Sequence, residues 1–166
     1  MASAMKTLYV LRHGQAAPES QSTADHARQL TGRGQEEVRQ SAHHLWKRPS
    51  MPTLIVSSSA TRARQTADVC LEGSSEAPAL LVREDLYLAE PEGYVDALAA
   101  GADPHTSVMV VGHNPGLEAL ILALTGRSEH LATASLVEIE LPLAAWADLP
   151  AAASGFGRLV GAFRAR

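Results

Sequence analysis

Two apolar runs in this chain end on a histidine. "TLYVLRHGQA", Thr7 to Ala16, stops at Arg12-His13-Gly14, and "SVMVVGH", Ser107 to His113, opens into the "GHNPG" of Gly112 to Gly116. A third signal, "SSSATRARQTA" at Ser57 to Ala67, puts Arg62 near the start of a helical stretch, and a fourth is "LYLAEPEG" at Leu86 to Gly93. Each sits where an expected strand gives way to a loop or helix. In open α/β sheets, ligands bind outside the carboxyl ends of the strands. His13 and His113 lie 100 residues apart, yet both end strands that could be sheet neighbours. Two imidazoles with Arg12 and Arg62 suit an anion, because guanidinium forks bind phosphate bidentately and stay charged at any working pH. Helix N-termini after Ser59 and Asn114 would add backbone donors and positive dipole ends. Gly14, Gly112 and Gly116 would let the backbone approach the ligand closely. The expected chemistry is a nucleophile and its clamp in a phosphate pocket.

The elements that must position these residues follow from periodicity. Leu8–Leu11, Thr53–Ser58, "ALLVRED" and Ser107–His113 read as strands of the buried parallel kind or shorter. "SLVEIEL" alternates and looks like a strand near an edge, and "GRLVGAF" is a candidate for the last strand. Between them, "GRGQEEVRQSAHHLWKR" carries Val38, Ala42, Leu45 and Trp46 at helical spacing, with Thr31 as N-cap. "ATRARQTADVCLEG" reads as a helix closed near Gly73, and Glu92 to Ala100 as a short one ending at Gly101. In "NPGLEALILALTG" the expected boundaries are Asn114 as N-cap, Pro115 at the first helical position and Gly126 as C-cap. Glu72–Pro78 and Ala151–Gly155 read as surface loops. Repeated βα units predict an α/β three-layer sandwich with a mostly parallel central sheet. The 166 residues read as one domain, long enough to bury about 70% of the unfolded surface.

Composition excludes several classes. With 46% hydrophobic and 19% charged residues the chain is globular rather than disordered. A net charge of −4 argues against a broad nucleic-acid footprint. Cys70 is the only cysteine, so no intrachain disulfide or cysteine metal cluster can form. There is no HxH, HExxH or carboxylate cluster to support a metal site, and no cofactor is expected. No apolar run approaches the roughly 20 residues of a membrane span. Met1 to Leu11 reads as the first strand rather than a signal peptide, and the expected location is the cytoplasm. His43 and His44 read as structural, Cys70 as a buried small hydrophobe, and Arg64 as a solvated helix residue. His26 reads more simply as a loop residue than as part of the pocket mouth.

"LRHGQA", "SSSATRARQTA" and "VGHNPGLE", in that order, resemble the histidine phosphatase superfamily, also called phosphoglycerate mutase-like. The short length, "DHARQLTGRG" at Asp25 to Gly34 and "LYLAEPE" resemble its SixA-type phosphohistidine phosphatase branch. The likeness runs from about Lys6 to about Trp146. It implies a doubly wound, phosphoglycerate mutase-like α/β fold and metal-free phosphoryl transfer. His13 matches the nucleophile that becomes phosphorylated, Arg12 and Arg62 the phosphate-binding arginines, and His113 the second histidine. Gly14 and Asn114 are further phosphate-binding candidates. Arg28, Gln15 and Glu90 are candidates for the pocket rim.

One departure matters. Larger members of the family carry a carboxylic acid after the third strand, and that position falls near Leu88, which cannot donate a proton. Glu90 and Glu92 are close in sequence, but neither matches securely. The implied function is dephosphorylation of a phosphorylated substrate, above all phosphohistidine in a protein. A small-molecule phosphomonoesterase and a non-catalytic phospho-ligand module stand as alternatives on the same fold.

Overall fold

Apolar side chains that alternate between two faces build a six-stranded sheet covered on both sides, in a computed structural model that describes residues 4–166. Residues 1–3 of the Met1–Leu11 stretch lie outside the described residues. The strands are β1 (Lys6–Arg12), β2 (Leu54–Ser58), β3 (Ala79–Arg83), β4 (Ser107–Gly112), β5 (Leu136–Leu141) and β6 (Arg158–Phe163), in the spatial order β3-β2-β4-β1-β5-β6. β3, β2, β4 and β1 run parallel. β5 lies antiparallel to β1, and β6 antiparallel to β5 at the edge. The sheet is the mostly parallel one expected, with two antiparallel strands completing one side.

Leu8, Val10, Val56, Val108 and Val110 project toward the helices α3 (Pro91–Gly101) and α4 (Gly116–Thr125). Tyr9, Leu11, Ile55, Met109 and Val111 project toward α1 (Gly32–Leu45) and α2 (Thr61–Glu72). Each fully buried aliphatic side chain contributes about 1.5–3 kcal/mol. A slip of one residue would send every side chain of a strand to the wrong face. Register is therefore fixed by both cores, and it sets Arg12 opposite Gly112 across the β1–β4 pair. The residues that follow, His13 and His113, emerge side by side.

Thr31 caps α1 as expected, its hydroxyl accepting from the Gly34 amide at 2.9 Å. Gly126 ends α4 in the left-handed region at φ 72°. The start of α4 differs from expectation. Its first residue is Gly116, and Pro115 rather than Asn114 stands in the capping position. The Asn114 side chain makes no capping bond. Its amide donates to Glu118 Oε2 at 3.1 Å and to the Leu131 carbonyl at 2.9 Å, while its Oδ1, the atom a cap would use, is buried with no partner among the described residues. A 3-10 helix at Trp146–Ala151 carries no periodic signal in the sequence, and a single large anchor explains it. The Trp146 ring is fully buried and its Nε1 donates to the His105 carbonyl. Among the described residues no helix is long and apolar enough to cross a membrane.

The chain after β1 passes against the first turns of α1 without room for side chains. A Cβ on Gly14 would sit 2.7 Å from the Gly34 carbonyl oxygen, and one on Gly34 would overlap the Gln15 carbonyl. Gly34→Ala is therefore expected to lower the unfolding free energy by about 1–3 kcal/mol, as overpacked sites do. Gly32→Ala, in the same helix with open space around it, is expected to be neutral or to stabilise by up to about 1 kcal/mol. Urea unfolding of both variants reads the difference, and equal midpoints would show that α1 yields freely to the loop.

Candidate active site

His13 and His113 leave adjacent strands, and their ring centroids lie 5.3 Å apart. Against both rings lies Arg62, the second residue of α2, only 3% exposed. Its Nε donates to His13 Nε2 at 3.3 Å, and its Nη2 lies 3.4 Å from His113 Nδ1. Its outer nitrogens meet Asp25, with Nη1 donating to the backbone oxygen at 2.8 Å and Nη2 to Oδ2 at 3.2 Å.

These contacts fix both histidine tautomers. His13 Nδ1 lies 2.8 Å from the Gly14 carbonyl, which can only accept, so Nδ1 carries the proton. Nε2 is then a lone pair, which the Arg62 N–H faces. His113 Nδ1 accepts from Arg62 in the same way, leaving its Nε2–H to donate to Ser58 Oγ at 2.8 Å. Burial pushes His13 down to about 4, with Arg62, Arg12 and Arg28 adding to the effect. Burial likewise lowers His113 to about 3, helped by the neighbouring His13 and Arg62. Both rings are neutral at pH 7.

Arg12 is half-buried at the end of β1, with Nη1 donating to the Leu131 carbonyl at 2.9 Å. Its Nε is buried without a partner among the described residues. The structure thus brings Arg12, His13, Arg62 and His113 together at the carboxyl ends of β1, β2 and β4. Other expected residues are tied elsewhere. The Gly14 amide donates to Thr66 Oγ1 at 3.1 Å, so it is not free for an anion. Gly112 and Gly116 serve packing rather than ligand approach, since added side chains would overlap the Tyr94 hydroxyl and the Ala89 carbonyl. Asn114 is held by Glu118 and Leu131. Gln15 accepts from the Thr31 hydroxyl at 2.8 Å and so belongs to the cap of α1. Glu90 precedes α3 and lines a cleft with Leu88, Asn114 and Pro115, while Glu92 faces a different hollow beside Leu149 and Phe156.

Four further residues border the cluster. Asp25, in a 3-10 turn at Asp25–Ala27, receives Arg28 Nη1 on Oδ1 at 2.9 Å, and both Arg62 and the Tyr87 hydroxyl on Oδ2. The Tyr87 hydrogen bond, then Arg28 and Arg62, hold its carboxyl well below the usual range. Tyr87 packs edge-on against His113 at 5.7 Å and against His26 at 4.8 Å. His26 Nε2 lies 3.0 Å from Ser59 Oγ, which places it at the mouth rather than in plain loop. Ser58 supports His113 from beneath. Asp25 and Tyr87 lie inside stretches whose likeness was legible, but no spacing pairs them with Arg62. Among the described residues, no three His, Cys, Asp or Glu side chains form a metal-holding group.

Residues 8–90 match the model of the histidine phosphatase superfamily, branch 1. An uncharacterized Mycobacterium leprae protein is 33% identical over 121 residues, covering 72% of this chain and 71% of that one. Among solved structures, a protein assigned as the phosphohistidine phosphatase SixA of Agrobacterium tumefaciens superposes with a TM-score of 0.79 at 27% identity, covering 95% of this chain and 97% of that one. The protein histidine phosphatase SixA complexed with tungstate gives a TM-score of 0.78 at 22% identity, with 95% and 96% covered. A mycobacterial glucosyl-3-phosphoglycerate phosphatase gives 0.67 at 20% identity, with 98% and 100% covered.

The neutral histidines tie stability to pH. In the unfolded chain both titrate near the ordinary value of about 6.5, whereas folded His13 holds out to about 4 and His113 to about 3. The unfolded state binds more protons in that window, so stability is full above about pH 6.5 and falls as pH drops toward 4. Asp25 acts in a separate window, below the unfolded carboxylate value near 3.9. Denaturant unfolding of His113→Gln at pH 7 and pH 5 is expected to show a shallower decline than the parent. An unchanged slope would mean that His113 is charged in the fold.

Proposed function

The chain belongs to the histidine phosphatase superfamily, and from that premise we propose that it is a phosphatase working through a covalent phosphohistidine on His13, with phosphohistidine in a protein as substrate. The observation that carries this reading is the His13 tautomer. The Gly14 carbonyl holds the proton on Nδ1, so the Nε2 lone pair points at Arg62, a cation suited to a phosphoryl group.

In the first step the Nε2 pair forms a bond to phosphorus as the bond to the leaving group breaks, its electrons departing with that group. Arg12 and Arg62 neutralise the equatorial oxygens, the main task in phosphoryl transfer. An anion beside His113 favours its protonated form, so on dianion binding Nδ1 takes a proton from solvent, gives up its hydrogen bond from Arg62 and becomes a third donor to the phosphoryl group. In the second step water attacks phosphorus, the N–P pair returns to His13, and the water's proton leaves with the inorganic phosphate. Covalent catalysis splits one hard displacement into two easier ones. The positive charge comes from side chains, so the reading calls on no metal and no cofactor.

The leaving group favours phosphohistidine over an alkyl ester. An alkoxide needs a proton from a positioned acid. Leu88, where such an acid would stand, is 56% exposed and cannot donate, and Asp25 is held ionised. Imidazole with its far nitrogen protonated leaves as a neutral molecule.

Turnover of a phosphohistidine peptide, an aryl phosphate and an alkyl phosphate at one pH is expected to fall in that order of kcat/KM. His13→Ala is expected to abolish turnover and labelling by phosphate while the protein stays folded. Best activity on the alkyl ester would favour the small-molecule reading, and binding without turnover the non-catalytic one.

Arg62→Ala is expected to cost about a hundredfold or more in kcat/KM, the loss typical of a donor to developing charge. Arg64 is exposed two residues along the helix, and Arg64→Ala is expected to cost less than about threefold. Equal losses would overturn the assigned helix register.

A further inference from the structure

The phosphoryl step uses His13, Arg12, Arg62 and His113, yet a carboxylate and two rings stand at the mouth with no part in it. Depth orders them. His13, Arg62 and His113 are 8%, 3% and 2% exposed, whereas the Asp25 side chain is 30% exposed. The Arg62 guanidinium lies between, with Nε on the His13 side and Nη1 and Nη2 on the Asp25 side. Displacement at phosphorus is in line, so the leaving group departs on the side away from His13 Nε2. With phosphorus held against Arg62 on its Asp25 side, the leaving group would emerge into the space bordered by Asp25, Tyr87 and His26.

We propose that Asp25 reads the leaving group, its carboxylate accepting a hydrogen bond from the far ring N–H of a departing imidazole. This rests on the phosphohistidine reading above and names the residue that would enforce it. Tyr87 is the positioning residue, its hydroxyl donating to Asp25 Oδ2. Arg28 fixes the other oxygen at 2.9 Å. The rings of Tyr87 and His26, 4.8 Å apart and near perpendicular, give the mouth flat aromatic surfaces suited to a heteroaromatic guest.

The chemistry balances without an enzyme acid. The His13 Nε2 pair forms the new N–P bond, and the old P–N pair returns to the substrate nitrogen. The proton on the opposite ring nitrogen stays where it was, facing Asp25, and the group leaves as neutral imidazole. With that proton in place the bound phosphoimidazole ring is cationic, and a nearby carboxylate favours the cationic form. Three donors keep Asp25 ionised, which makes it a poor acid and a good acceptor. The same charge works against esters. A departing alkoxide or phenolate offers no N–H and would develop negative charge beside a carboxylate, so discrimination has an attractive and a repulsive part.

The test compares kcat/KM on a phosphohistidine peptide and on an aryl phosphate, across pH, for the wild type, Asp25→Asn and Tyr87→Phe. Asp25→Asn is expected to lower the phosphohistidine-to-aryl ratio by about ten- to a hundredfold, the worth of a charged hydrogen bond. Tyr87→Phe is expected to lower the ratio less, in the same direction. The alkaline limb of the phosphohistidine profile is expected to move to lower pH in Asp25→Asn, because the carboxylate that favoured the protonated ring is gone. The other charged or titratable groups facing Asp25 are Arg62 from α2, Arg28 from its own turn, Tyr87 after β3 and His113 after β4, and they act on both substrates. An unmoved ratio, equal losses on both substrates, or a rise on both (Asp25 merely covering Arg62) would overturn the proposal. If Asp25→Asn does not fold, Asp25→Ser and Tyr87→Phe carry the same ratio test. A wild type that turns over the aryl ester but not phosphohistidine would sink the phosphohistidine reading and this proposal with it. A wild type active on both, with an unmoved ratio, would sink this proposal alone.

Discussion

A guanidinium taken almost wholly out of water must have its donors met, and Arg62 is where that demand falls. Five N–H groups in a rigid fork leave little freedom in how they are satisfied. The neighbours that meet them are the ones that matter: His13 on Nε, His113 by Nη2, and both the backbone and the carboxylate of Asp25. Because Arg62 can only donate, each imidazole turns a lone pair toward it. The tautomers of the two histidines follow from that, with the Gly14 carbonyl and the Ser58 hydroxyl taking the protons on the far sides. One buried cation thereby sets the protonation of the site and the place of the turn that covers it.

The sheet makes this arrangement possible. Parallel pairing of β1 with β4 sets the two histidines side by side, and α2 after β2 delivers Arg62 to the same end. The close passages at Gly14 and Gly34 draw α1 against the loop after β1. Thr66 links the layers, since its hydroxyl donates to the Arg62 carbonyl and accepts from the Gly14 amide. The loop that carries the proposed nucleophile and the helix that carries its clamp are thus joined by one side chain.

Much of this was legible in the sequence, for a physical reason. Val108 to Val111 and Leu8 to Leu11 are buried on both faces, so their strand identity is written in unbroken apolar runs, and polar residues at their ends stand out. Arg62 was separable from Arg64 because the family motif it resembles falls on Arg62, and helix geometry turns residues two apart to different sides. What stayed hidden depends on irregular backbone. Asp25 reaches Arg62 through a 3-10 turn between β1 and α1, and Tyr87 reaches Asp25 across 62 residues. Neither distance is encoded by a period. The glycines of "GHNPG" suggested ligand approach because a missing Cβ looks the same whether it admits a ligand or a neighbouring Tyr94. Asn114 suggested a cap because its type fits one, but Glu118 and Leu131 anchor its amide with Oδ1 left away from any backbone N–H among the described residues.

Asp25 also bears on how phosphate enters a site that already holds an anion. A carboxylate bound by Arg62 alone would have to be torn from its sole partner, and the whole ion pair would count against substrate binding. Here Asp25 keeps Arg28 on one oxygen and Tyr87 on the other whatever Arg62 does. On the proposed mechanism phosphate would replace the 3.2 Å contact to Nη2, exchanging one oxygen for another on the same guanidinium, along with the Arg62 contacts to the two imidazoles. The incoming charge would then raise the proton affinity of His113, which burial, His13 and Arg62 hold down. Arg62 would thus exchange its contacts with His13, His113 and the Asp25 carboxylate for phosphate oxygens, while Arg28 and Tyr87 still hold the Asp25 carboxylate.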